Sequence, residues 1–525
     1  MFVRIKPSGK NQYLQIVENF RQDGKVRQRV LATLGRAHYL IDSGKTDKLA
    51  QSLTKFCKYT KLVESHRSGA IQARSCRKIG PALIFERLWK QLGIAQVVEE
   101  QLLDRNFAFS LERAVFLTTL HRLFDPGSDR AAEKWKRDCL IQDTDNLELH
   151  HLYRAMAWLG ENYQSLEDKL FQQRKDLFTN LKLVFFDTTS LYFEGEGGGI
   201  GEYGFSKDHR PDLQQMVVGA VLDGEGRPIC CQMWPGNTAD AKTLLPLVDR
   251  FRRRFGVEKM TFIADRGMIS RNTIEQLEAR KQTYILGCRL RKEKAVRDDV
   301  LSHPGRYQIV DETLHVKEVK LDGRRYVICF NPAEAVKDAK DRETVIASLQ
   351  DKLKQGAKSL IGNRGYRKYL KIKGEAVSID QEKLQSEARF DGKYVLATNL
   401  PPEELSTADV ALRYKELWQV ENIFRSMKTT LQTRPIYHQN DAAIMGHVFC
   451  SFLALMLLKE MQLRIHTKGW KLEWNDIKRD LEALVEIELE DAGEIFNLRT
   501  NLQGICGKVF QAAGVAIPPS VRPVN

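Results

Sequence analysis

The spacing of apolar residues divides the chain into segments of different period. Short alternating runs come first: Tyr13–Glu18 and Val26–Leu34 read as strands, punctuated by Gly24 and Gly35. From Pro81 the period becomes helical, over Ala82–Leu92 and Leu111–Phe124. An Asp125-Pro126-Gly127 turn then leads to another helix starting near Ser128. Two helices about a short glycine-containing turn suit a helix-turn-helix DNA reader, and they suit any helical bundle equally.

From Leu181 the pattern changes again. Leu181–Asp187 predicts a buried strand ending in an acid, and Gln215–Asp223 a second strand. The tight turn Asp223-Gly224-Glu225-Gly226 leads into a third at Pro228–Trp234. Asn237-Thr238-Ala239-Asp240 caps a helix running to about Phe255, with Asp240 in the capping role. Lys259–Asp265 is a fourth strand, again closed by Asp, and a helix from about Ser270 to Ala279 precedes a fifth at Thr283–Leu290. This order resembles a ribonuclease-H-like core: an α/β fold on a mixed five-stranded sheet flanked by helices. Residues 291–392 predict mixed strands and one polar helix, Ala333–Lys354, as a β-rich insertion into that core. A strand at Lys393–Thr398 precedes a helix capped by Ser406 or Thr407 that continues past Lys428. The apolar run Val448–Leu458 is too short to cross a bilayer and reads as a buried helix.

These segments divide the chain into a basic strand-rich region (1–75), a helical DNA-binding region (76–178), the first part of the core (179–290), the inserted β-rich domain (291–392), the second part of the core (393–465) and an α/β tail (466–525). A length of 525 residues agrees with several units, each able to bury a core. With 42% apolar and 29% charged residues, a disordered chain is excluded. No signal-peptide pattern follows Met1. The nine cysteines are scattered without a CxxC pair, against both a disulfide framework and a zinc finger, and they predict a reducing, cytoplasmic compartment.

Charge sharpens the picture. The chain carries +14, and residues 1–100 supply +11 of it, from 19 Lys and Arg against 8 Asp and Glu. A second basic run, Lys352–Lys373, holds eight basic residues and no acid, among them Arg364, Arg367 and Lys368. Such clusters raise nucleic-acid affinity by releasing counterions from phosphates, although a solvated face or an acidic protein partner would look the same.

Asp187 and Asp265 each close an apolar strand. In the order above these strands lie side by side and parallel, so both carboxylates emerge at one carboxyl edge, where ligand sites of open α/β sheets form. Paired carboxylates there attract Mg²⁺ or Mn²⁺, hard cations that take oxygen ligands. A strand-end Asp that merely starts a turn is the plainer alternative. A third acid, Glu421, lies in a helical stretch where Tyr414, Leu417, Arg425 and Lys428 fall within roughly 40° of it on one face. That stripe is a poor hydrophobic face and suits a metal-binding acid flanked by phosphate-binding cations. A surface ion pair of Glu421 with Arg425 is equally sound physically.

The three acids and their surroundings resemble the DDE transposases of bacterial insertion sequences, in the group whose last acid lies in a Tyr-x₂-Arg-x₃-Glu-x₆-Lys signature. Tyr414, Glu421 and Lys428 match that signature in spacing, and Leu417 stands at its Arg position, a role Arg425 could take over. Similar stretches are Phe186-Asp187-Thr188-Thr189-Ser190, Gly204–Asp212, Pro235–Asp240, Ala264-Asp265-Arg266-Gly267-Met268 and Arg434–His438. The resemblance implies a catalytic site of Asp187, Asp265 and Glu421 holding two Mg²⁺ or Mn²⁺ ions. It also implies DNA contacts from Tyr414, Arg425, Lys428, Lys207, Arg210, Arg266, Arg364, Arg367 and Lys368. The implied function is binding of terminal inverted repeats, metal-dependent cleavage and strand transfer. The partners are double-stranded DNA, at element ends and target, and a second copy on DNA; the setting is a bacterial nucleoid, with no membrane. A nuclease on the same fold, or a DNA-binding descendant without turnover, are the rivals. Tyr366 and Tyr369, inside the basic run, would suit base stacking.

Gly199–Gly204 formally satisfies GxGxxG, but the polar Ser206–Asp212 and Pro211 follow instead of an apolar helix, so it reads as a loop beside the metal site. Asp208, His209 and Asp212 in that loop could touch DNA or metal. His150-His151 have no partnered ligands, and neither a GxxxxGK[ST] loop nor an HExxH motif is present.

Overall fold

The computed structural model describes residues 1–22, 25–54, 72–103, 105–174, 183–255, 260–355, 369–373, 376–491 and 494–523. Two compact units emerge. One comprises 1–78, 483–502 and 517–525; the other comprises 79–482 and 503–516.

The first unit begins with an antiparallel meander of β1 (Phe2–Ser8), β2 (Asn11–Gln22) and β3 (Lys25–Arg36). β2 and β3 contain the two alternating runs of the sequence. β1 was not legible there, because its apolar residues Phe2, Val3 and Ile5 are exposed. Helices Ala37–Asp42 and Lys45–Thr54 follow, and then β4 (Gln72–Lys78).

The second unit opens with helices Gly80–Gln91, Ile94–Gln101, Leu111–Phe124, Asp129–Trp135 and Leu149–Gln173. Ser110 and Ser128 cap two of them by accepting backbone N–H bonds. Leu111–Phe124 is buried along its whole length and Asp129–Trp135 has only seven residues. Leu111–Phe124 therefore has no free face to lay in a groove, while Asp129–Trp135 keeps Arg130 and Lys134 exposed.

The sheet follows: β5 (Leu183–Tyr192), β6 (Gln215–Leu222), β7 (Pro228–Pro235), β8 (Thr261–Ala264), β9 (Thr283–Gly287), β10 (Gln308–Asp311), β11 (Leu314–Leu321) and β12 (Arg324–Phe330). A small hairpin of β13 (Leu370–Lys373) and β14 (Ala376–Ile379) stands apart, and β15 (Lys393–Thr398) completes the large sheet. Its order is β10-β11-β12-β15-β9-β8-β5-β6-β7. β8 runs parallel to both β5 and β9, and all other neighbours are antiparallel. Thus the sheet has nine strands where the sequence predicts five. β15 pairs with the free edge of β9 and carries β10–β12 with it, satisfying edge N–H and C=O groups that would otherwise stay open.

The centre of this sheet is buried on both faces, as parallel strands require. Val184, Phe186, Phe262 and Tyr284 pack with Leu244, Leu247, Phe251, Ile274 and Leu277 in one core. Helix Leu149–Gln173 is fixed to β7 by Glu167, which accepts from Cys231 N–H (2.7 Å) and the Arg250 guanidinium (2.5 Å). The apolar run expected as a buried helix lies in Asp441–Thr467, which by length and composition could cross a membrane but is 78% buried within the protein in its most apolar window.

The chain then returns to the first unit. β16 (Val485–Asp491), β17 (Glu494–Arg499) and β18 (Val521–Pro523) join β4 in a four-stranded antiparallel sheet, order β18-β17-β16-β4.

Candidate active site

The parallel register of β5 and β8 ends at Phe186 opposite Ala264, so the next residues on adjacent strands are Asp187 and Asp265. Asp265 lies just past the end of β8. Asp187, in contrast, does not close its strand: Thr188–Tyr192 go on pairing with Gly219–Gln215 of β6. The carboxylate therefore stands on a rigid, mid-strand backbone.

Asp187 accepts the Thr188 N–H at 2.7 Å and faces the Lys207 ammonium at 3.9 Å. Burial pushes its carboxyl up to about 6. Lys207 and the Thr188 N–H oppose that shift, and the neighbouring charges of Asp265 and Asp240 reinforce it. A carboxyl with a folded value above its unfolded one holds its proton more tightly when folded. Its ionisation thus costs stability increasingly as pH rises from 3.8 to about 6, and fully above that. In metal-free buffer Asp187→Asn should stabilise the fold at pH 7.5, by at most about 3 kcal/mol, with the gain vanishing near pH 4. Thermal melts at the two pH values measure it; no gain at pH 7.5 would contradict the reading.

Asp265 accepts the Tyr414 hydroxyl at 3.0 Å. Tyr414 is half-buried, stacks on Tyr394 with ring centroids 5.9 Å apart, and has its phenol raised by desolvation and then by the charge of Asp265. Its approach depends on Gly287 of β9, since a Cβ there would overlap the Tyr414 hydroxyl.

Asp240 is not the cap that the sequence predicts. It opens a 3₁₀ turn, Asp240–Lys242, without a side-chain cap, and its carboxylate turns toward Asp187 instead. One oxygen accepts from Thr188 Oγ1 (2.7 Å) and the other meets Lys207 Nζ (3.2 Å). Lys207 Nζ also donates to the Thr188 carbonyl (2.7 Å) and Oγ1 (2.8 Å). A cation is thus already seated among oxygens from Asp187, Asp240 and Thr188. Asp240 and Thr188 were missed as site residues; their signal lay in the two motif stretches that contain them.

The stretch around Glu421 is two helices rather than one: Thr407–Lys415, capped by Ser406, and Trp418–Thr429. Tight i to i+3 bonds, Leu417 N–H to the Tyr414 carbonyl and Val420 N–H to the Leu417 carbonyl, form the join, and Leu417 is buried there. Glu421 is exposed and, among the described residues, makes no hydrogen bond or ion pair, Arg425 included. Among the described residues no three His, Cys, Asp or Glu side chains form a group that could hold a metal. Asp187 and Asp265 follow the paired ends of adjacent parallel strands, and Glu421 is not grouped with them. Glu421 nonetheless lies seven residues from both Tyr414, on Asp265, and Lys428, on Asp208.

The expected DNA contacts divide. Arg425 and Arg266 are exposed, and the Arg266 carbonyl is held by Arg289 Nε at 3.1 Å. Lys207 is engaged as described. Lys428 is largely buried against Asp208 (2.9 Å), an acid it shares with Arg434 (3.3 Å). Arg210 pairs with Asp212 (2.8 Å) and lies over the Tyr192 ring. Arg364, Arg367, Lys368 and Tyr366 lie outside the described residues. Tyr369 is buried with Leu349 and Leu370, which removes it as a base-stacking residue.

Residues 180–457, more than half the chain, match the family described as Transposase DDE domain. The chain belongs to the DDE transposase family. Residues 3–58 match the family described as IS1634 family transposase, N-terminal domain. The family comprises phosphoryl-transfer enzymes that generally use divalent metals. In this transposase β5–β9, with spatial order β9-β8-β5-β6-β7, make the ribonuclease-H-like core that the domain implies. No curated protein matches the chain. Among solved structures, a "Mos1 transposase paired-end complex with left transposon end" is 14% identical, over 34% of this chain and 60% of that one, with a TM-score of 0.15. So loose a superposition carries no argument, and the match spans less than two thirds of that chain.

Proposed function

We propose that this transposase binds the terminal inverted repeats of a bacterial insertion sequence, cuts the DNA at the element ends and joins the freed ends to target DNA. The adjacency of Asp187 and Asp265 on parallel strands, inside the segment that matches the DDE domain, carries this reading. The spacing of Tyr414, Glu421 and Lys428 supports assignment to the group with the Tyr-Arg-Glu-Lys signature, with Leu417 as its departure.

The oxygen donors fit a hard cation, because an ammonium already occupies a seat made by Asp187, Asp240 and Thr188. Asp187, Asp265 and Glu421 would hold two Mg²⁺ or Mn²⁺ ions, and bound ions supply activation of the attacking oxygen and neutralisation of the leaving one. The chain's own residues do the positioning on which phosphoryl transfer depends. The Thr188 N–H fixes one Asp187 oxygen, and the Tyr414 hydroxyl orients Asp265. Arg266 and Arg425, both exposed, are available to phosphates. Attack by water on phosphorus breaks the bond to the 3′-oxygen, and the freed 3′-hydroxyl then attacks a target phosphodiester, forming a new P–O bond as the target's own 3′-oxygen leaves with a proton. Cutting two ends together calls for a homodimer on double-stranded DNA. The basic first hundred residues supply further phosphate contacts in a cytoplasmic, nucleoid-associated protein.

The test is a purified full-length protein incubated with labelled terminal-repeat DNA and a target plasmid, with Mg²⁺, Mn²⁺ or chelator. Metal-dependent cutting followed by joined products is the expected result. Cutting without joining would make the protein a nuclease on the same fold. End binding with no turnover in either metal would make it a descendant without chemistry.

A further inference from the structure

A groove of about 890 Å³ runs beside the acid cluster. Arg289 is the wall between the two. It lines this groove and also the smaller cleft that holds Lys207 and Asp240, and its guanidinium grips the Arg266 and Gly267 carbonyls (3.1 and 3.0 Å), just after Asp265. Ile274, Val296 and Tyr326 give the groove buried apolar lining, while the side chains of Arg271, Lys292 and Lys294 are exposed. Among the described residues neither lysine makes a salt bridge. Of the acids present, Glu278 is engaged by the Tyr284 hydroxyl (2.9 Å) and Arg324 (3.6 Å), and Glu293 by the Arg289 N–H (3.0 Å). Asp322, in the β11–β12 turn, is the remaining negative charge.

Apolar walls beneath free cations suit a ligand that carries flat apolar faces and phosphates together. A duplex hides its bases, and this volume is that of a small-ligand site; an unpaired strand exposes both features. We infer that the groove binds single-stranded DNA, a few nucleotides leading away from the cut, with bases against the Tyr326 side and phosphates against Lys292 and Lys294. The inference rests on the DNA-cutting reading for the origin of that strand, and its test does not.

The full chain is titrated, in chelator so that nothing is cut, with a fluorescent oligothymidylate of about six nucleotides and with a blunt duplex. Lys292→Gln/Lys294→Gln should weaken oligothymidylate binding about tenfold and flatten its salt dependence by about 1.4 in log–log slope, two phosphates at about 0.7 each. Duplex affinity should hold. Arg252→Gln/Arg253→Gln, the same charge change at another exposed site, should leave oligothymidylate binding unchanged. Unchanged binding in the lysine variant, an equal loss in the arginine control, or an equal loss on duplex would each overturn the site. The two readings separate cleanly. Failure here in a protein that cuts and joins element ends removes the groove alone. Selective, lysine-dependent strand binding in a protein that cuts no DNA keeps the groove and removes the transposition reading.

Discussion

Glu421→Gln lowers cleavage of element ends at least about 10³-fold and leaves their binding within about twofold. Glu421 is exposed and supports no packing, so this substitution removes a charge without disturbing the core. The melting temperature should therefore stay at the wild-type value, and any lost cleavage is chemical rather than conformational. Asp187→Asn and Asp265→Asn should lose cleavage as completely, but with different stability signatures. Asp187→Asn relieves a costly ionisation, whereas Asp265→Asn weakens the acceptor of the Tyr414 hydroxyl. Gel assays of nicked and joined products, with binding followed in parallel, check all three. Wild-type cleavage by Glu421→Gln would remove that residue from the site and leave Asp240 as the third acid to examine.

The largest expected effect on the fold is at Gly446. Helices Leu149–Gln173 and Asp441–Thr467 approach backbone to backbone through Gly160 and Gly446. A Cβ on Gly446 would overlap the Met156 carbonyl oxygen, and one on Gly160 would overlap that of Ala442 and lie 2.7 Å from Gly446 N. These are main-chain atoms of long buried helices and cannot yield as a flexible side chain would. Gly446→Val should destabilise by more than about 4 kcal/mol, seen as loss of soluble protein or collapse of the thermal transition. Gly514→Ala is the contrast: φ is +67° but nothing lies near its Cβ, so about 1 kcal/mol is expected. A soluble Gly446→Val protein with a near-native melt would show that the helices can separate at little cost.

Much of this architecture was legible because each core strand carries its own apolar run and several helices begin at a capping serine. Ser110, Ser128 and Ser406 all lie where the sequence predicts helix starts. What local pattern does not encode is the pairing partner. Nothing in Leu314–Leu321 or Arg324–Phe330 says that these strands extend the core sheet through β15 instead of folding by themselves. At the site, Asp187 and Asp265 were legible from strand position. Asp240 was hidden because a helix-start acid and a site acid look alike until Lys207 and Thr188 come within reach. Lys428 reads in the sequence as a phosphate-binding cation because its partner, Asp208, is 220 residues away. The join between the two helices at Glu416-Leu417 has no proline or glycine to mark it.

The sheet of β4 with β16–β18 has a consequence for synthesis. β4 finds its partner about 400 residues later, at Val485 opposite Lys78. At about 5–20 residues per second, a nascent β4 waits roughly 20–80 s on the ribosome before that partner exists. Throughout that delay its backbone donors and acceptors are open to any passing strand. Chaperone demand should therefore fall on the earliest part of the chain to be made, and slowing translation of the middle of the message should increase aggregation.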